Sequence, residues 1–582
     1  MMSDATTGPR PAAVLTLLLG IALLLYANTV QNQFVFDDEL TFRRNPAIRG
    51  LDRLPELLGS RTRGYRPVRY LSFAVDHAIS GDDPWAYHVS NALYHGVTAG
   101  LVFLVLRRLA GGDGRVALAG ALIFVCHPVH TESVAYISGR RDLLTTLFFL
   151  LALLAYLRHR EDGRTRWLAL SLGSFGLALG SKEMAVTLPA IVALHDLLLD
   201  REAFRRRLPL YAAGLAVAAA AAIWAVTSGA SNQKGWHGGS AAANFLTVAR
   251  IHAHYLSLLA FPRTLLADYS AQAFPASRSL LDPPATLAAV AALAALSGLA
   301  VLWRRGAPLV AFGIAWFLVT LLPVSHIVPF HEIAAEHYLY LPSVGFCLIA
   351  GLGVERLRAA AGARVAYALL AVVLVALSAR TIIRNRDWRD SETLWAKTVE
   401  TAPRCARARF NLGVIRAGQG RLDAALVHLR EAVAIQPTHV VARFKTAQVL
   451  GRIGRVADAR AELEETLRIA KTLDPSPLAP GDVSMALGRH VEAIGLYEAE
   501  LRRRPTHVHS LLGIGFCHEF LGNETSALRA YERALAVDPT NVKALRRAAF
   551  LSRRSGQAGR AAELEERARR SEERDGGTEA SP

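Results

Sequence analysis

P-A-A-V-L-T-L-L-L-G-I-A-L-L-L-Y-A-N-T-V-Q-N-Q-F-V-F-D-D-E, residues 11–39, is the stretch that decides how the chain is read. From Pro11 to Phe36 it carries no charge, and its first part is long enough to cross a bilayer as a helix. No small-residue cleavage site follows at Tyr26-Ala27-Asn28-Thr29, so the run reads as an uncleaved first span. Directly beyond it stand Asp37, Asp38 and Glu39. An anchor has no use for three carboxylates at the mouth of a membrane helix, so this stretch points both to a membrane fold and to a site.

Working outward, about eleven apolar runs are candidate spans, at 11–29, 89–106, 116–136, 143–157, 167–180, 184–199, 208–227, 285–303, 307–323, 338–354 and 365–379. The chain has 582 residues, 52% of them hydrophobic, and a net charge of +17. That is too apolar for an ordinary soluble protein. The arginines fall in short gaps between runs: Arg107, Arg108 and Arg115; Arg158, Arg160, Arg164 and Arg166; Arg201 with Arg205, Arg206 and Arg207; Arg304 and Arg305; Arg356, Arg358 and Arg364. This is the positive-inside pattern rather than a nucleic-acid surface. It predicts a multi-pass inner-membrane protein with a cytoplasmic N-terminus and outward gaps at 30–88, 137–142, 181–183, 228–284 and 324–337. Arg140 and Arg141 break the pattern, and so does the cluster at 380–389. Residues 248–261, which carry Arg250, His252 and His254, read as an interfacial or re-entrant helix. The four cysteines are scattered, with no CxxC pair, which indicates neither a zinc site nor a disulfide framework.

Past residue 390 the pattern becomes soluble, helical and periodic. Gly420, Gly454, Gly488, Gly522 and Gly556 recur every 34 residues, as do Ala425, Ala459, Ala493, Ala527 and Ala561. Pro403, Pro437, Pro505 and Pro539 keep the same period. A 34-residue helical repeat of this kind resembles the tetratricopeptide repeat. Pro475, Pro477 and Pro480 predict a short first helix in the third of five units. The fold expectation is all-α: a polytopic membrane domain over 1–385, a tetratricopeptide α-solenoid outside the cytoplasm over 386–575, and a disordered tail over 576–582.

Ionisable residues collect at the outward ends of the helices, where burial is costly and function is the usual reason for it. Asp37 and Asp38 are the candidate catalytic pair; an acidic helix cap would also account for them. Arg66 and Arg69, in Tyr65-Arg66-Pro67-Val68-Arg69-Tyr70, suit a phosphate, because guanidinium binds it in two-pronged fashion. His88, Asn91 and His95 share one helix face and either line a cavity or bond across helices. His127-Pro128-Val129-His130-Thr131-Glu132 is not HExxH, so no metal is indicated, although a divalent ion is compatible with it. His130 and Glu132 read instead as cavity-lining, followed by Arg140 and Asp142. Lys182 and Glu183 occupy a tight turn. His331 and Glu332 precede Glu336-His337-Tyr338-Leu339-Tyr340-Leu341-Pro342.

Taken together, Phe34–Asp38, Tyr65-Arg66-Pro67, His88–His95, His127–Glu132, Gly180-Ser181-Lys182-Glu183 and Glu336–Pro342, followed by the repeats, resemble the transmembrane and tetratricopeptide-repeat O-mannosyltransferases and their bacterial relatives. The resemblance implies a GT-C-type integral-membrane glycosyltransferase. It implies a polyprenyl-phosphate sugar donor, mannose in the eukaryotic members, and transfer to Ser or Thr hydroxyls of exported proteins. Asp37 or Asp38 would be the base of an inverting displacement. Arg66, Arg140, Lys182 and His337 would face the donor phosphate, with Glu183, Glu336 and Tyr338 also lining the cavity. His337 stands where the pattern has Arg, which predicts a weaker, pH-dependent grip. The repeats would present the acceptor protein. Two other readings are a transferase acting on a lipid or polysaccharide, and a membrane-anchored scaffold for envelope assembly. Eleven spans exceed what an anchor needs.

Overall fold

α1 (Pro11–Tyr26) continues as a 3-10 turn to Thr29 and packs along α3 (Trp85–Leu109). Small residues let the two backbones approach closely. A Cβ on Gly96 would lie 2.8 Å from Leu19 Cδ1 and 3.0 Å from its Cα, and one on Gly100 would lie 2.7 Å from Leu15 Cδ2. Between these two helices in the chain lies α2 (Pro67–Ser80), which begins on a proline at its first turn. The computed structural model describes residues 10–38, 41–42, 48–49, 66–227, 235–270, 274–328, 330, 332–473 and 476–574. Glu39, Tyr65 and His331 lie outside the described residues.

The membrane domain continues through α4 (Gly114–Cys126), α5 (Thr131–Ala135), α6 (Arg140–Asp162), α7 (Thr165–Leu179), α8 (Leu188–Leu199), α9 (Arg201–Arg206) and α10 (Leu208–Thr227). It ends with α11 (Ala241–Ala260), α12 (Ala285–Trp303), α13 (Pro308–Leu321), α14 (Ser343–Ala361) and α15 (Ala363–Asn385). Every one of the eleven apolar runs contains a helix. Among the described residues five segments are long and apolar enough to span by themselves: Pro11–Thr29, Trp85–Leu109, Ile137–Asp162, Ala285–Trp303 and Ala363–Trp388. The pair Gly114–Cys126 and Pro128–Ala135, bent by 51°, makes a sixth if taken as one span. Of the other runs, those at 167–180, 184–199 and 307–323 yield helices of 15, 12 and 14 residues. The run at 184–199 opens as a 3-10 segment, Glu183–Thr187, and the run at 338–354 begins with the 3-10 segment Glu336–Leu339. α11 is 20 residues long but is not among the helices apolar enough to span.

The chain divides into two compact units, Met1–Cys405 and Ala406–Pro582. The first includes α16 (Ser391–Thr401), the helix that follows the membrane domain, capped by Asp390, whose carboxylate accepts from Thr393 N at 2.8 Å.

The second unit is five helix pairs: α17 (Ala406–Gly418) with α18 (Leu422–Ile435), α19 (Val440–Arg452) with α20 (Val456–Ala470), α21 (Pro480–Ala486) with α22 (His490–Arg503), α23 (Val508–Phe520) with α24 (Glu524–Val537), and α25 (Val542–Arg554) with α26 (Ala558–Arg574). The periodic glycines sit between the helices of each pair with φ between 75° and 89°, a conformation that disfavours a side chain. The periodic alanines are buried where the paired helices cross. α21 has 7 residues where the other first helices have 13. Beside it opens a cavity of about 440 Å³ lined by Asp482, Tyr497, His507 and His509 among others.

Candidate active site

The acidic stretch after α1 folds as a tight turn. Asp38 N donates to Val35 O at 3.1 Å, and Val35 N donates back to the Asp38 carboxylate at 3.2 Å. Phe36, inside this turn, has φ 57°, and the two aspartates part. Asp38 is fully buried, and its Oδ1 accepts from both Ser138 N (2.9 Å) and Ser138 Oγ (2.6 Å). Asp37 is exposed, and its carboxylate has no hydrogen-bond or ion-pair partner among the described residues. Burial lifts the Asp38 pKa to about 7, against the lowering effect of the Ser138 and Val35 hydrogen bonds. Such a value would suit a general base, but this carboxylate is sealed off and already occupied by three donors.

Ser138 belongs to the 3-10 turn Ile137–Gly139 that starts α6. Gly139 is required there, since a Cβ would lie 2.6 Å from Glu132 O and 2.7 Å from Ser133 O. The next three residues carry charge. Arg140 is fully buried and spent on the protein: it pairs with Asp76 and donates to Asn91 Oδ1 (2.7 Å), Tyr87 O (2.9 Å) and Ser72 O (3.2 Å). The expectation that Arg140 grips a donor phosphate is therefore corrected: the guanidinium ties α6 to α2 and α3. Arg141 meets a different set of partners. Its side chain is 18% exposed, its Nη2 donates to His337 Nε2 at 3.1 Å, and it lies 3.5 Å from Asp142. Sequence reasoning noted Arg141 only as a breach of the positive-inside pattern, which was the available signal. Ser138 gave none.

His337 accepts that bond as a neutral ring. Its Nδ1 donates to Glu132 Oε1 at 2.7 Å, and its backbone N–H donates to Glu132 Oε2 at 3.0 Å. Burial, with Lys182 and Arg141 nearby, lowers its pKa to about 3. The expected pH-dependent phosphate grip by His337 is thus replaced: this histidine holds Arg141, and Glu132 holds the histidine. Tyr338 donates to Glu332 at 2.8 Å, and its ring lies 4.7 Å from Lys182 Nζ.

Lys182 is buried and bonds to Asp142 Oδ1 at 2.6 Å. Burial lowers its pKa, with the Asp142 carboxylate opposing the shift. Glu183 instead pairs with Arg66 at 2.8 Å, with side chains 41% and 21% exposed; desolvation raises its pKa, but the Arg66 guanidinium and the Lys182 ammonium outweigh it and hold it down at about 2. Lys182 and Glu183, adjacent in the turn, therefore belong to two separate pairs. Arg69 is buried against the rings of Tyr70 and Phe73, 4.8 and 5.8 Å from their centroids. Arg66 and Arg141 lie within electrostatic reach of Lys182, and Tyr136 lies within electrostatic reach of Asp37, Asp38 and Arg141.

The remaining candidates cross-link the bundle. His88 Nε2 bonds to Asn32 O (3.1 Å), Asn91 Nδ2 to Val134 O (3.0 Å), and His95 Nδ1 to Tyr340 Oη (2.7 Å). His130 Nε2 meets Ser343 Oγ at 3.0 Å. Glu336 is buried, accepts from Leu266 N and from Tyr269 Oη (3.0 Å), and faces Arg384 at 3.6 Å. All of these are buried bonding groups rather than an open lining. Among the described residues no group of three or more His, Cys, Asp or Glu is arranged to hold a metal ion. Beside the Gly180–Glu183 turn runs an apolar cleft of about 330 Å³ between α7, α8 and α10, lined by Phe175, Leu179, Leu188, Val192 and Val217 among others.

Residues 67–225 match the family described as dolichyl-phosphate-mannose-protein mannosyltransferase. That match includes Arg141, Lys182 and Glu183 but begins after Asp37. Tetratricopeptide-repeat families match residues 377–440, 416–475 and 508–541. The chain is 27% identical to Protein O-mannosyl-transferase TMTC1 of Homo sapiens over 496 residues, covering 74% of this chain and 56% of that protein. It is 28% identical to TMTC2 of Homo sapiens (71% and 61% covered) and 28% identical to Tmtc1 of Drosophila melanogaster (75% and 63% covered). The chain thus spans about three-fifths of the length of these relatives. A solved structure titled "Crystal structure of MamA protein" is similar to 30% of this chain and covers 97% of its own, with 17% identity and a TM-score of 0.24. The chain therefore carries a segment similar to the mannosyltransferase family followed by segments similar to tetratricopeptide repeats, and along most of its length it is similar to the protein O-mannosyl-transferases.

Proposed function

We propose that this chain is a membrane glycosyltransferase that moves a sugar, mannose, from a polyprenyl-phosphate donor to Ser or Thr hydroxyls of exported proteins. The observation that carries the reading is the parting of the two aspartates: an exposed Asp37 with no carboxylate partner among the described residues, beside a sealed Asp38, with Arg66, Arg141 and Lys182 on other turns. In the reaction, Asp37 takes the proton of the acceptor hydroxyl. The hydroxyl oxygen bonds to the anomeric carbon as the bond from that carbon to the phosphate oxygen breaks. The electron pair leaves on the polyprenyl phosphate, and the configuration inverts. The base contributes about 10²–10⁴ in rate. The cations stabilise the charge that develops on the departing phosphate, where a low-dielectric site makes them most effective. The apolar cleft beside the Lys182 turn supports a donor with a hydrocarbon chain.

With a cytoplasmic N-terminus, this site opens on the far side of an inner membrane. The repeats then lie on that same side and offer helix pairs for holding an acceptor. The test uses purified protein in detergent with polyprenyl-phosphate mannose and follows release of free polyprenyl phosphate. Release that disappears in Asp37→Asn supports the reading. No release from any lipid-linked sugar, with a cell-envelope extract as acceptor, would shift the reading to a membrane-anchored scaffold.

A further inference from the structure

The turn that presents Asp37 does not stand alone. Phe36, at φ 57°, is one of two non-glycine residues with positive φ among the described residues, and bulky side chains rarely adopt this conformation. Something outside the turn must hold it. The Phe36 ring packs edge-on against Trp395 at 5.3 Å and against Tyr136 at 5.8 Å. Tyr136 in turn stacks on Trp388 at 5.3 Å and 22°. Trp395 lies on α16 and is buried, as is Trp388 just before that helix. Hydrogen bonds run alongside: Gln33 N donates to Arg389 O at 2.8 Å, and the Asn28 side-chain Nδ2 donates to Ile382 O at 2.9 Å. One direct ring contact, a ring bridge through Tyr136 and several hydrogen bonds therefore join the segment after α1 to the segment that ends the membrane domain.

We propose that Trp395 is a positioning residue: through Phe36 it fixes the strained turn that points Asp37 outward while Asp38 points in. The proposal rests on Asp37 being the base. It gives α16 a part in catalysis distinct from acceptor presentation by the repeats. A turn of unfavourable φ relaxes when its clamp is removed, and Asp37 then leaves its place.

The test uses full-length protein carrying Trp395→Ala, Trp395→Phe or Phe36→Gly. Each is assayed for turnover of polyprenyl-phosphate mannose. Each is also combined with Asp37→Cys and assayed for labelling by a water-soluble maleimide. The four native cysteines are buried, so the introduced thiol is read against a quiet background. Trp395→Ala is expected to lower kcat by about 10²-fold, with KM for the donor unchanged, because the base is displaced rather than the donor pocket. Trp395→Phe keeps an aromatic face and restores most of the turnover. Phe36→Gly accommodates φ 57° without strain, so it folds, yet with the ring gone nothing fixes the freely rotating glycine in that one conformation, and it reproduces the loss. The labelling rate at position 37 changes in Trp395→Ala and Phe36→Gly and returns in Trp395→Phe. Unchanged labelling and turnover in folded Phe36→Gly and Trp395→Ala would overturn the proposal. If the parent protein turns over no donor, the glycosyltransferase reading falls. The labelling arm still decides the positioning: a changed rate supports it, and an unchanged rate refutes it.

Discussion

Asp37→Asn and Asp38→Asn make a matched pair whose effects should separate cleanly. Asp37 is exposed and its carboxylate binds nothing among the described residues, so replacing it by the isosteric amide leaves stability within about 0.5 kcal/mol. The loss falls on the reaction. Without a base, turnover drops by about 10²–10⁴-fold, a barrier rise of about 3–5 kcal/mol. Asp38 accepts from Ser138 N, Ser138 Oγ and Val35 N. The amide keeps one acceptor oxygen for Ser138 and turns its NH₂ toward the Val35 N–H, leaving a buried donor unsatisfied at about 1–3 kcal/mol. Asp38→Asn should therefore lower the thermal midpoint in detergent, with a milder turnover loss that follows the folded fraction. Both quantities are read on one preparation, by release of polyprenyl phosphate and by intrinsic fluorescence on heating. The reasoning is refuted if Asp37→Asn turns over donor at the parent rate, or if Asp38→Asn is fully folded and inactive. The second outcome would move the base to the buried residue.

Three further outcomes follow from the same geometry. Arg140→Ala strands the buried Asp76 and should cost about 3–5 kcal/mol of stability, whereas Arg141→Ala should fold and lose turnover; a thermal-shift and turnover comparison of the two checks the division of roles. The raised Asp38 pKa, about 7 against an ordinary 3.8, means the folded state holds a proton that the unfolded chain has released. Its contribution to stability is therefore full below about pH 4 and falls by about 4 kcal/mol as pH rises toward 7; urea titrations across this range should show the slope, and Asp38→Asn should remove it. Deleting residues 406–582 should leave transfer to short peptides intact and abolish transfer to whole proteins, measured with the same donor; equal loss on both acceptors would argue against a presentation role for the repeats.

The sequence by itself determined the all-α character, the apolar runs and the repeats. Helix periodicity, run length and the 34-residue recurrence of Gly420 through Gly556 are local properties, and each has a local physical cause. It also brought forward the residues that bear on the chemistry, because ionisable groups at helix ends are costly enough to be conspicuous in an apolar chain. It could not say which of them act and which only bind the fold together. Asp37 and Asp38 are neighbours of identical chemistry, told apart only by the turn at Phe36 and by Ser138, which arrives from 100 residues away. Arg140 and Arg141 are equally adjacent, yet one meets Asp76 and the other meets His337, 196 residues distant. Lys182 looks paired with Glu183 until Asp142 and Arg66 take one each. A charged side chain settles with whichever partner best offsets its desolvation. Those partners come from other helices, so only the tertiary structure decided which groups remained free for a substrate.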